Sequence, residues 1–498
     1  MSRHPLLLIA ATSVLLSASA RAQASSGCDR LIEQFGDALS DVVCFESPDL
    51  TTGNSLAPPL GPTTPANNSL PGLPPLAFTP ITDRSTIAPS APFRRPIAHA
   101  VPGLQLQARI ASDPTGQARF LLRLPADWNG KLVVAGASGT RSEFNGDFSW
   151  SDYVLQKGFA YASQNKGVLN LRLTDAKDPL ACRLNPASGV YVHFYDTDPG
   201  QPFTRWRDFM VEAARLARKG VRATYGEEPE RTYAVGTSNG GYQVRRAVES
   251  APELFDGGVD WEGTFVDEHE ANLLTDLPPA ILNYPDYVAS GFNPDSTAAK
   301  NIRAAGYPPD LVAGSSSLWK NYWTAFWEVT QCQWQKRLDP TYDTYGAGTG
   351  TYNYVARLAV SDVGAQLAAF ATTGRIQRPL ITVAGTLDAL LPIDHHARAY
   401  ARKVAAARTR GGEDRKGGDD ARPAYRLYEV QNGNHLETYR DAFPQLELIE
   451  PHAQRAFDLL VDYVEKGAPL PPDQCVPRGG AIASAPARAG HCAELLVP

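Results

Sequence analysis

Three residues far apart in the chain, Ser238, Asp388 and His435, have the side chains that acyl transfer requires. A serine hydroxyl is a weak nucleophile near neutral pH, so it needs a base. An imidazole base in turn needs a carboxylate to hold its tautomer and stabilise its charged form. Ser238 stands in Gly236-Thr237-Ser238-Asn239-Gly240-Gly241, after an apolar β-type run and before an amphipathic helical pattern over 239–250. This is the layout of a nucleophile elbow, a sharp strand-to-helix turn that tolerates only small residues two positions to either side. With 41 glycines in the chain, the G-x-S-x-G pattern alone carries little weight, and the flanking elements decide. Asp388 follows the β-type run 380–384 and His435 follows the run 424–430. The order serine, acid, histidine, with the last two just beyond consecutive strands, is a rarer coincidence than any one residue.

A tetrahedral oxyanion needs hydrogen-bond donors. The N–H of Asn239, next after the serine, is the first candidate, and Gly139 or Ser138 in the loop after the run 131–135 is the second. His395 and His396 compete weakly as bases, because they fall at a helix start rather than a strand end. Asp267, His269 and Glu270 resemble no zinc motif and read as an exposed polar segment. No metal and no cofactor is expected, since a serine triad needs neither.

To bring the three groups together the chain needs a sheet. Runs 131–135, 159–163, 233–236, 257–261, 380–384 and 424–430 read as short strands, and 206–219, 397–407 and 454–465 as helices. Alternating strands and helices imply an α/β fold with a mostly parallel sheet covered on both faces, active at the carboxyl ends of its strands. Runs 104–110 and 120–124 read as an antiparallel pair at the sheet edge. Residues 262–375 interrupt the rhythm and concentrate aromatic side chains, which predicts an inserted cap. Most of these aromatics read as the insert's own core, with Trp323, Trp327 and Trp261 as candidates to line a substrate pocket. The predicted organisation is a signal peptide over 1–24, a proline-rich wrapping segment over 25–103, core over 104–261 and 376–472 around the cap, and a disulfide-stapled tail over 473–498. The stretch 408–422 reads as a solvated loop.

The basic start, apolar run and small-residue cleavage site at the amino terminus predict export to the periplasm or medium. No later apolar run is long enough to span a membrane. All six cysteines lie beyond this leader, which favours disulfides. Cys28 with Cys44 and Cys475 with Cys492 would close short loops, leaving Cys182 and Cys332 as a long-range staple, although spacing alone does not fix the pairing. A net charge of −6 without a basic block makes nucleic acid an unsuitable partner. The oligomeric state is not encoded in any feature of this kind.

The segment Lys157-Gly158-Phe159-Ala160-Tyr161-Ala162-Ser163, continuing to Asn165-Lys166-Gly167, and Ser238-Asn239-Gly240-Gly241 at the elbow resemble the secreted α/β-hydrolase esterases, and more narrowly the D-3-hydroxybutyrate oligomer hydrolases. The resemblance runs from about residue 136 to 261; beyond it only the triad order matches. It implies an α/β-hydrolase fold with a lid, and an ester hydrolase acting on short polyester or hydroxyacid oligomers. The tannase and feruloyl esterase group shares the architecture but pairs cysteines beside its serine and histidine, where this chain has Thr237 and Leu436. An aromatic esterase, a serine peptidase and a non-catalytic binding protein of the same fold are the alternatives.

Overall fold

The computed structural model describes residues 27–54, 88–139, 142–195, 203–342, 349–410 and 423–498. The leader, residues 55–87 of the proline-rich segment and most of the 408–422 loop lie outside these residues.

Fifteen strands are present among the described residues: β1 (Leu39–Ser47), β2 (Gly103–Ile110), β3 (Arg119–Pro125), β4 (Lys131–Gly136), β5 (Ala160–Gln164), β6 (Leu169–Thr174), β7 (Cys182–Arg183), β8 (Tyr191–Tyr195), β9 (Arg231–Thr237), β10 (Gly257–Trp261), β11 (Val312–Ala313), β12 (Ser316–Ser317), β13 (Leu380–Gly385), β14 (Tyr425–Val430) and β15 (Gln474–Val476). Ten of them form one sheet in the order β1-β2-β3-β5-β4-β9-β10-β13-β14-β15. Pairing is antiparallel from β1 to β5 and parallel from β5 through β4 to β15. This is an α/β-hydrolase fold. The crossing from β5 to β4 and then to β9 puts the elbow strand near the middle of the sheet, where both faces are covered.

Strand side chains alternate between two cores, as a doubly covered sheet demands. Leu132 and Val134 of β4, with Ala234 of β9, face the helices Arg205–Tyr225, Asn239–Ser250 and Ala397–Arg410. Val133, Ala135, Tyr233 and Val235 face the helix Glu450–Lys466, where Phe457 and Leu460 meet them. The predicted strands and helices are all present, within a few residues at their ends.

Two expectations need correction. Residues 25–103 are not only a wrapping segment, because the helix Gly27–Phe35 packs against the core and β1 extends the sheet beyond β2. The pair β2/β3 therefore sits one strand in from the edge. Spacing within 39–47 hides this strand, since its exposed outer face lacks clear alternation.

Between β10 and β13 the chain leaves the sheet for six helices among the described residues, including Leu273–Ala289, Leu318–Ala325 and Trp327–Leu338, and the small hairpin β11/β12. Asn272 and Thr275 close a capping box that starts the first of these helices, and the Ser317 side chain accepts the Lys320 N–H to start the second. Cys182 in β7 is bonded to Cys332 in the third, while Cys28–Cys44 and Cys475–Cys492 close the short loops. The long-range bond ties the insert to the small sheet β6-β8-β7. Among the described residues, no helix is long and apolar enough to cross a membrane.

Candidate active site

The elbow is built by close backbone approach. Ser238 has φ +59° and ψ −123°, a conformation that non-glycine residues rarely adopt, and its N–H donates to the carbonyl of Trp261 at 2.9 Å. A Cβ on Gly236 would lie 2.4 Å from the Gly240 carbonyl oxygen, and one on Gly240 would lie 2.5 Å from that of Gly136. Both positions flanking the serine are therefore closed to any larger residue, which is the steric demand read from the sequence. The helix Asn239–Ser250 begins at once, so its first N–H groups are gathered beside the serine.

The candidate acid and base come from the ends of β13 and β14. These are neighbouring parallel strands, and β10 separates them from β9. Asp388 Oδ1 accepts the N–H groups of Leu390 and Leu391 at 2.8 and 2.7 Å, and its Oδ2 lies 2.7 Å from His435 Nδ1. The carboxylate is thus fixed by its own turn and presents one oxygen to the imidazole. The loops bearing the two residues touch through glycine, since a Cβ on Gly385 would fall 2.4 Å from the Gly433 carbonyl. Asp388, His435 and Ser238 are 1%, 3% and 7% exposed, so the pair is screened from water while the serine retains a small opening. Among the described residues, the hydrogen bonds of His435 end at Asp388 and none joins it to the Ser238 hydroxyl. Such bonds are often long before substrate binds.

On the other side of the elbow, the loop after β4 is held by groups that spacing alone does not reveal. The ammonium of buried Lys166 donates to the carbonyls of Ala137, Ser138 and Gly139 at 3.1, 2.6 and 2.5 Å. In a trans peptide the following N–H points opposite to the carbonyl, so the Gly139 N–H is turned away from Lys166. The Ala137 N–H is taken by Gln243 Oε1 at 2.9 Å, and the Ser138 N–H points to Asn145 Oδ1 at 3.3 Å. Of the two loop residues proposed as oxyanion donors, the Ser138 N–H is engaged within the protein. Lys166 and Gln243 lie outside this loop, and although Lys166 belongs to a stretch that carries the resemblance, its role in holding the loop is not marked by any local pattern.

The insert reaches the loops that bear Asp388 and His435. Tyr322 donates from its hydroxyl to Asn434 Oδ1 at 2.8 Å, beside His435, and Trp327 donates from Nε1 to the Ala389 carbonyl at 2.7 Å, beside Asp388. Trp327 is fully buried among Tyr284, Tyr307 and Tyr322, so it braces the acid loop and does not line an open pocket. Trp261 is likewise buried, edge-on to Trp150 in the core against the helix Glu450–Lys466, which removes it from the pocket candidates. Trp323 is only partly buried and stacks on Tyr284 at 5.4 Å.

The competing histidines are committed elsewhere. His395 and His396 both face buried Asp276 of the insert, at 2.9 and 3.2 Å, and His396 Nδ1 also accepts the Phe265 N–H. Asp267 is not an exposed residue as expected: it is buried and ion-paired with Lys403, while His269 is exposed beside it. A second carboxyl that sequence reading passed over, Glu262, lies 3.6 Å from His435 Nδ1.

Residues 349–493, which include Asp388 and His435, match the family model described as 3HB-oligomer hydrolase. This is the part of the chain in which the sequence resemblance extended only to triad order. The D-(-)-3-hydroxybutyrate oligomer hydrolases of Burkholderia thailandensis and Burkholderia mallei are 32% and 31% identical to it over 133 residues, covering 25% of this chain and 17% of each relative. The matched stretch therefore spans about a sixth of those relatives. Among solved structures, an esterase from Aspergillus oryzae aligns over 87% of this chain and 89% of its own, with 15% identity and a TM-score of 0.48.

Proposed function

We propose that the chain is an exported serine carboxylic-ester hydrolase that cleaves hydroxyalkanoate oligomers of the 3-hydroxybutyrate type. The observation that carries this reading is the buried 2.7 Å contact between Asp388 and His435 at the ends of adjacent strands, in the same sheet whose β9 leads into the left-handed Ser238 at the start of a helix. In this mechanism His435 Nε2 takes the proton of Ser238 as the hydroxyl oxygen attacks the ester carbonyl. Asp388 keeps the Nδ1 proton in place and stabilises the imidazolium. The N–H groups of Asn239 and Gly139 receive the oxyanion, collapse releases the alcohol with the proton from His435, and water then cleaves the acyl-enzyme by the same base.

The family match over 349–493 supports hydroxybutyrate oligomers as the substrate class. Three disulfides support an oxidising compartment. Residues 262–375 act as a cap in this reading, with Trp323 as the insert's candidate for contact with the acyl chain. The test is product analysis with 3-hydroxybutyrate oligomers, gallate, ferulate and peptide substrates, alongside labelling by a fluorophosphonate probe. Release of 3-hydroxybutyrate with label on Ser238 is expected. Label elsewhere, or none, overturns the mechanism, and turnover of only the aromatic or peptide substrates overturns the substrate class.

A further inference from the structure

Glu262 is a buried carboxyl that the proposed reaction does not use. It follows β10 directly, in left-handed backbone with φ +52°, and its Oε1 accepts the Gly385 N–H at 3.0 Å. Its Oε2 is enclosed without a hydrogen-bond partner and lies 3.6 Å from His435 Nδ1, the nitrogen that Asp388 Oδ2 holds at 2.7 Å. One ligating atom from each of the three residues falls within 4.8 Å of the others. Two carboxylates this close, away from water, strongly disfavour a second negative charge. Burial, and after it the Asp388 charge, accordingly pushes the Glu262 carboxyl well above the usual carboxylate range. The Gly385 N–H and the neighbouring Trp261 side chain offset this only in part, while Glu437 adds negative charge and Tyr322 of the insert is a phenol kept neutral by burial.

We propose that Glu262 is a reserve carboxyl for His435, able to replace Asp388 as the group that orients the imidazole when the Asp388 carboxylate is removed. The inference rests on the triad reading above. Without the Asp388 charge, Glu262 loses its proton to solvent more easily, and its Oε2 accepts the Nδ1–H of His435 over a short movement. Burial still raises its titration, so the substitute pair works best at alkaline pH. In the unaltered protein Glu262 is a positioning residue that keeps the second face of the imidazole nitrogen closed to water.

The test measures hydrolysis of p-nitrophenyl butyrate by the full chain from pH 5 to 10, in Asp388→Ala, in Asp388→Ser, which can still accept the Leu390 N–H, and in each combined with Glu262→Gln. A triad stripped of its carboxylate loses on the order of 10⁴ in turnover. The single variants are expected to lose on the order of 10²-fold at neutral pH, recover as pH rises, and lose a further factor on the order of 10² when Glu262→Gln is added. A full, pH-independent loss in the single variants that residue 262 does not change overturns the proposal. Should neither Asp388 variant fold, infrared difference spectra of the wild type against Glu262→Gln decide: a protonated-carboxyl band at pH 7 is expected, and its absence refutes a neutral Glu262. Ser238→Ala in the same assay separates the two readings, because activity surviving that change removes the triad itself.

Discussion

Lys166 Nζ donates a 2.6 Å hydrogen bond to the carbonyl of Ser138, and this one contact links a buried charge to the loop that faces the elbow. With its bonds to the two neighbouring carbonyls it fixes the peptide planes on which a Gly139 donor depends. Lys166→Met retains the apolar stem beside Trp206 but removes all three bonds. It is expected to lower kcat on the order of 10²-fold with little change in KM, since the oxyanion forms only after substrate is bound. Steady-state kinetics on a soluble ester check this, and a change confined to KM would assign Lys166 to substrate binding instead.

Tyr322 couples the insert to the histidine loop. Tyr322→Phe leaves Asn434 Oδ1 without that donor in a buried setting, at a cost of about 1–3 kcal/mol. Part of the cost should appear as misplacement of His435, with kcat/KM reduced roughly tenfold. Comparing the loss in kcat/KM with the loss in unfolding free energy checks the claim; a purely structural contact would change only the second.

Asp152 gives the fold a defined pH dependence. It accepts the N–H of Thr52 at 2.9 Å and the Thr52 hydroxyl, and burial pushes its carboxyl up to about 7 from 3.8. The folded protein therefore holds this proton more tightly than the unfolded chain. The resulting stability is whole below about pH 4, declines as pH rises, and is gone once pH passes about 7, where the folded carboxyl also ionises. Asp152→Asn removes the titration while keeping an acceptor for the Thr52 N–H. Its unfolding free energy relative to wild type is expected to rise between pH 4 and 8, by at most roughly 3–4 kcal/mol. Urea melts across that range measure it, and a difference that stays constant with pH would rule out Asp152 as the source.

The Cys182–Cys332 bond closes a loop of 150 residues that contains the elbow. Replacing both cysteines with alanine is expected to cost roughly 2–5 kcal/mol in stability. Removal of the short Cys475–Cys492 link, with a separation of 17, should cost less on the chain-entropy account. Denaturant midpoints of the two double variants, compared at equal m-value, test the order.

The part of the candidate site that was legible in sequence is the part governed by local chain geometry. Gly236 and Gly240 around Ser238 mark a turn whose steric needs are met within five residues. Asp388 and His435 were legible because each follows a β-type run directly, and a strand end fixes where the next few residues lie. Trp261 and Trp327 misled because aromatic content says only that a side chain will be buried, not on which side of a sheet or against which loop. Asp267 misled for a related reason: its partner Lys403 lies 136 positions away.

Sequence alone determined the alternating strands and helices, the serine, acid and histidine in order, and which cysteines could close short loops, because each depends on periodicity or on contacts over a few residues. Tertiary structure alone decided that Lys166 holds the loop after β4, that Tyr322 and Trp327 brace the loops bearing His435 and Asp388, and that Glu262 lies 3.6 Å from the imidazole nitrogen bonded to Asp388. Those contacts join residues dozens to more than a hundred positions apart. Their energies come from excluding water around paired polar groups, and no linear pattern records which distant groups the folded chain encloses together.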